Sequence, residues 1–194
     1  MINIETDSHG RTYEIWKQDQ ANSCGVASTW MARGIARQAC FREEEWGLAQ
    51  RVYRHAVQNA LAPLGVSADG RVTLAQWAYP NDQSSMASTL ANFGFYAGQL
   101  ATAIRAEGLR VEHIGFTGQP HTIQSNKIAI NKPAIALVCW NGGGGHFVVV
   151  GRSTGVVSFL DPWNGHINEQ PNDGRYRAKY GNQGIIGEVL YLSA

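Results

Sequence analysis

Apolar residues in the first part of the chain recur at helical intervals. After Ser23, a candidate N-cap, Val26, Trp30, Met31 and Ile35 fall on one stripe, which predicts a helix starting at about Cys24. Trp46, Ala49, Tyr53 and Ala56 form a second stripe over 43–59, with acidic residues in the first turn and Ala62-Pro63-Leu64-Gly65 as a stop. Shorter helices are expected around 73–79, 84–93 and 98–107, and a first strand over 109–114. Beyond 133 the pattern changes. Residues 134–140, 146–152, 156–161 and 185–192 are rich in Val, Ile and Phe and read as strands. Asn141-Gly142-Gly143-Gly144-Gly145 and Ser153-Thr154-Gly155 are turn sequences that join the first three into an antiparallel meander. Helices first and an antiparallel sheet second predict an α+β fold. Residues 1–12 are polar and read as a flexible arm, and 13–194 as a single domain with a helical lobe and a sheet lobe.

Composition removes several classes of function. A net charge of +1 across 194 residues gives no polyanion signal, so no nucleic-acid partner is expected. The longest apolar run, 134–140, is far short of the roughly 20 residues that span a bilayer, and no signal-peptide pattern opens the chain. The three cysteines, at 24, 40 and 139, are odd in number and widely spaced, which fits a reducing compartment rather than a disulfide framework. Cys40 and Cys139 read as structural. No Cys-x-x-Cys or His-x3-His spacing suggests zinc, and neither metal nor cofactor is expected.

Against this background three residues carry candidate chemistry. Cys24 lies where a helix begins, near unpaired N–H groups and the positive dipole end, a setting that can lower a thiol pKa from about 8.5 to roughly 3.5–7.5. Gly25 beside it leaves room for a substrate carbonyl. His146 opens a strand, Phe147-Val148-Val149-Val150, that is apolar throughout and so is expected to be buried on both faces, holding its backbone rigidly. Asp161 ends the next strand, where its carboxylate could reach the imidazole. Each has an ordinary reading as well: a structural cysteine, a solvated turn histidine, an Asp-Pro turn former. Together they supply a thiol nucleophile, its base, and the group that orients the base.

Gln18…Cys24-Gly25, Gly145-His146-Phe147-Val148-Val149 and Asp161-Pro162-Trp163-Asn164-Gly165 resemble the motifs of papain-like cysteine peptidases. The similarity is greatest to the bacterial double-glycine peptidases of bacteriocin-exporting transporters. It spans about 18–36 and 133–165. The resemblance implies a papain-like fold, with the nucleophile on a helical lobe and His and Asp on a sheet lobe. It implies Cys24 as nucleophile, His146 as general base and acid, Asp161 as orienter and the Gln18 side chain as oxyanion donor. Gln20 is a rival for the last role and His166 a rival partner of the thiol.

Gly144 and Gly145 could let a substrate backbone lie close, and Trp140 and Trp163 could wall a cleft that takes only small residues. Both features also have plain readings, as a hairpin tip and as rim packing. A narrow groove would suit Gly-Gly or another small pair before the cut. A free-standing domain of this kind looks similar to papain-like toxins and effectors delivered by secretion systems into a reducing cytosol, where they cut a protein and are neutralised by a cognate immunity protein. The same triad can also serve a deamidase, an acyltransferase or a peptidoglycan amidase, and a non-catalytic binding module is a further class.

Overall fold

The computed structural model describes residues 1–19, 23–43, 47–49, 51–52, 55 and 97–194. The helices expected around 73–79 and 84–93 lie outside these residues. Of 43–59, residues 47–49, 51–52 and 55 are helical.

Among the described residues the site is framed by β1 (Ile2–Thr6), β2 (Thr12–Trp16), α1 (Cys24–Arg37), α2 (Ala97–Ala106), β3 (Arg110–Ile114), β4 (Ala134–Trp140), β5 (Gly145–Thr154), β6 (Val156–Asp161), β7 (His166–Pro171), β8 (Arg175–Arg177) and β9 (Gln183–Ser193). Strands β3, β9, β4, β5, β6 and β7 follow one another across an antiparallel sheet, with β8 paired to β9 beside β3. The β4–β5–β6 meander is the one the turn sequences predict. The fold class is α+β.

Alternation along β5 buries both faces of the sheet. Phe147 and Val149 join Ile135, Leu160 and Leu190 against Val26, Trp30, Met31, Leu100 and Ile104 of the helices. Val148 and Val150 join Ala136, Phe159, Tyr176 and Val189 on the other side. Each large apolar side chain so buried contributes about 1.5–3 kcal/mol. Helix α1 is buried along most of its length, which explains a composition with a single charged side chain, Arg33, before its last residue. It ends at Gln38, which takes a left-handed conformation (φ 51°) and donates its N–H to Gly34 and Ile35 carbonyls. Among the described residues no helix is long and apolar enough to cross a membrane.

The first twelve residues correct the expectation of a flexible arm. β1 and β2 pair as an antiparallel hairpin from Ile2↔Trp16 to Thr6↔Thr12. Its turn is set by Asp7, whose Oδ1 accepts the backbone N–H groups of His9 (3.0 Å) and Arg11 (2.9 Å). Tyr13, Ile15 and Trp16 carry β2 into the helix-side core. Tyr13 crosses the sheet at Gly151, where even a Cβ would lie 2.6 Å from its ring. The polar residues of β1 bind the start of β7 and the residue before it: Asn3 Nδ2 donates to Gly165 O at 2.9 Å, and Glu5 accepts Ile167 N–H at 2.7 Å and pairs with His166. β7 and β8 also lie in a polar stretch where periodicity predicts no strand.

Candidate active site

Cys24 is the first residue of α1. Ser23 holds the N-cap position, its carbonyl accepting Ala27 N–H at 3.0 Å, but its side chain makes no capping bond. No acidic residue occupies the first turn, so no carboxylate competes for the positive end of the helix beside the sulfur. Thr29 Oγ1 bonds the Gly25 carbonyl at 2.8 Å, and Ser28 Oγ bonds the Phe147 carbonyl at 3.2 Å. The second of these bonds fixes α1 to β5 one residue past His146.

His146 is the second residue of β5, on the face shared with Val148 and Val150, and Asp161 ends β6 on the face shared with Val157 and Phe159. The two strands run antiparallel, so the start of one adjoins the end of the other. His146 Nε2 meets Asp161 Oδ1 at 2.7 Å, with both side chains buried. Nδ1, also buried, has no partner that meets hydrogen-bond geometry. The Cys24 thiol is nevertheless close enough to act on the ring as a hydrogen-bonding and charged group. The fold thus brings Cys24, His146 and Asp161 together.

Electrostatics within the site follow from this arrangement. Burial alone would push the His146 pKa down, but the Asp161 carboxylate and then the Cys24 sulfur outweigh it and raise the value to about 9. The imidazole is therefore a cation through the neutral range. Asp161 is held below the usual carboxylate range: burial would raise it, but His146, the Tyr176 hydroxyl and the Trp163 N–H prevail. The other thiols differ. Cys40 is exposed and donates to Glu14 Oε1 at 3.1 Å, which pushes it up, and Cys139 is pushed up by partial burial and by Glu188.

Aromatic rings enclose the imidazole. Trp140 stacks on it, and half-exposed Trp163 meets it edge-on, with ring centroids 5.7 Å apart in both cases. Gly144 lies in the open turn before β5, where an added Cβ would meet nothing within 4 Å, whereas at Gly145 it would lie 3.0 Å from Leu137 Cδ1. Gln18 donates its backbone N–H to the Pro162 carbonyl at 2.8 Å, which ties Gln18 to the loop after Asp161. Gln20 lies outside the described residues. His166, the rival base, is the register partner of Asp161 across β6 and β7, but its ring pairs with Glu5. No group of three or more His, Cys, Asp or Glu side chains among the described residues is arranged to hold a metal.

Tyr176 is the site neighbour that sequence patterning misses. Its hydroxyl donates to Asp161 Oδ2 at 2.6 Å in the interior. The only signal was the alternation Arg175-Tyr176-Arg177, which sends one aromatic ring to the face opposite two charges.

A thiol at a helix start, a buried imidazole and a carboxylate are the groups that nucleophilic chemistry at sulfur requires. No protein-family model matches the chain, and no curated protein does. Among solved structures it is similar to the peptidase domain of Streptococcus ComA, a bi-functional ABC transporter involved in a quorum-sensing pathway. That similarity is at 15% identity, covering 93% of this chain and 98% of that one, with a TM-score of 0.46. It is also similar to the Pseudomonas avirulence protein AvrPphB, at 10% identity over 94% and 98% of the two chains, with a TM-score of 0.40.

Proposed function

We propose that the chain is a papain-like cysteine endopeptidase that cleaves a protein substrate through an acyl-enzyme. The observation that carries this reading is the buried His146–Asp161 pair beside Cys24, with a cationic imidazole at neutral pH. Cys24 sulfur attacks the scissile carbonyl. The Cys24 backbone N–H and the Gln18 side chain hold the developing oxyanion, a donor of this kind being worth about 2.7–4 kcal/mol. His146 then gives its proton to the leaving amine, the C–N bond breaks, and the acyl group stays on sulfur. The neutral imidazole takes a proton from water, whose oxygen attacks the thioester and releases the acid. Asp161 keeps Nε2 protonated and directs Nδ1 at the sulfur.

The rings of Trp140 and Trp163 around His146 support a narrow groove and cleavage after Gly-Gly or another small pair. In biological terms the reading is a bacterial toxin or effector domain that acts in a reducing cytosol after delivery by a secretion system and is restrained by a cognate immunity protein. Expressed in bacterial cytosol, the chain should arrest growth, while Cys24→Ala should not. Lysate proteins from the two cultures, compared by mass spectrometry, should contain new fragments only with the wild type. Near-isobaric products without fragments would make the protein a deamidase instead, and no difference at all would leave it without a catalytic role.

A further inference from the structure

We propose that Tyr176 is a positioning residue of the site, whose hydroxyl fixes the Asp161 carboxylate and through it the imidazole of His146. The inference rests on the peptidase reading and extends it to a side chain on a different strand.

Both oxygens of Asp161 are engaged, by donors from different elements. Oδ1 accepts His146 Nε2–H from β5 at 2.7 Å and Trp163 N–H from the following loop at 2.9 Å. Oδ2 accepts the Tyr176 hydroxyl from β8 at 2.6 Å. A carboxylate held only through Oδ1 can turn about its last side-chain torsion, which is soft for Asp. The third donor removes that freedom.

The hydroxyl is itself rigidly placed. Tyr176 is fully buried, with its ring edge-on to Phe159 at 5.2 Å and tilted against Trp140 at 6.0 Å. Its strand is fastened on two sides. Tyr176 pairs with Gly184 of β9, while Arg177 N–H bonds Gln170 Oε1 of β7 at 2.8 Å and Arg177 O accepts Asn168 Nδ2 at 2.7 Å. The groups facing the carboxylate are thus His146, Tyr176 and the Trp163 N–H; Cys24 acts on His146, and Asn168 acts on the tyrosine hydroxyl.

Packing alone needs only the ring. The hydroxyl meets a different demand, since a buried anion short of donors is costly and becomes easier to protonate.

The test is the rate at which iodoacetamide modifies Cys24, measured against pH in the wild type, Tyr176→Phe and Phe159→Leu. Tyr176→Phe should slow the reaction at neutral pH roughly tenfold, the effect of losing one hydrogen bond to a charged group, and should move the acid limb of the profile upward. Phe159→Leu, which disturbs the same packing without touching the hydroxyl, should lower the melting temperature and leave the profile in place. Site-specific 3-fluorotyrosine at position 176 keeps the shape and donates more strongly, so it should move the acid limb down even if Tyr176→Phe fails to fold. Unmoved profiles in the folded variants, or the same movement in Phe159→Leu, would overturn the inference while leaving the peptidase reading intact. Wild-type Cys24 reacting like a free thiol across the whole range would remove both.

Discussion

The indole of Trp140 lies over the imidazole of His146, the two planes 14° apart, and Trp163 closes the adjoining side at 81°. Two large rings thus shape the space around the imidazole. Trp163 is 54% exposed, so truncating it removes little buried area. Trp163→Ala should therefore cost less than about 1 kcal/mol in stability and should relax the proposed preference for small residues before the cut. Cleavage of a peptide series varying those two residues, wild type against variant, measures this. An unchanged preference would separate Trp163 from specificity.

The three thiols should react very differently. Cys40 and Cys139 are both pushed up, by Glu14 and by burial respectively, while Cys24 sits beside an imidazolium. Brief exposure to iodoacetamide at pH 7 followed by peptide mapping should therefore modify Cys24 first. Asp161→Asn removes the charge that sustains the imidazolium, so in that variant His146, followed by the NMR shifts of its ring, should lose its proton at a pH below the wild-type position near 9. Equal labelling of all three cysteines would contradict the site.

His146 also links pH to stability. Its folded value, about 9, exceeds the ordinary 6.5, so its contribution is fully present below about pH 6.5 and is lost as pH rises through 9. The size is on the order of 3 kcal/mol, shared with Asp161. Urea unfolding midpoints of the wild type should fall between pH 6.5 and 9. In His146→Ala that slope should flatten, and an equal slope in both proteins would show that the pair adds nothing to folding.

Gly165 ties the amino-terminal hairpin to the loop that carries Trp163. It has φ +75°, and a Cβ there would lie 2.7 Å from Asn3 Nδ2 and 2.9 Å from Lys17 Cβ. Gly165→Ala should destabilise by about 1–3 kcal/mol through backbone strain alone, and more where the Asn3 contact is broken. Thermal melting checks the size, and hydrogen exchange of the 2–16 amides checks where the loss falls.

Much of this arrangement is legible along the chain because it rests on local rules. An apolar stripe after Ser23 makes a helix whose first residue is Cys24, and an unbroken Phe-Val-Val-Val run makes a strand buried on both faces. Residues 1–12 carry no strand signal because Ile2 and Ile4 point to solvent, so β1 lacks an apolar face and finds its partners in β2 and in residues 165–167. β8 is three residues long and offers no period to detect.

Local patterning fixes α1, α2, β3, the β4–β5–β6 meander and β9, and the chemical types held at 24, 146 and 161, since periodicity and turn residues act over a few neighbours. Only the tertiary structure decided that Tyr176 reaches Asp161, that the hairpin grips the loop behind it, and that the imidazole is cationic. Those outcomes depend on burial and on donors arriving from distant strands, which no local pattern records.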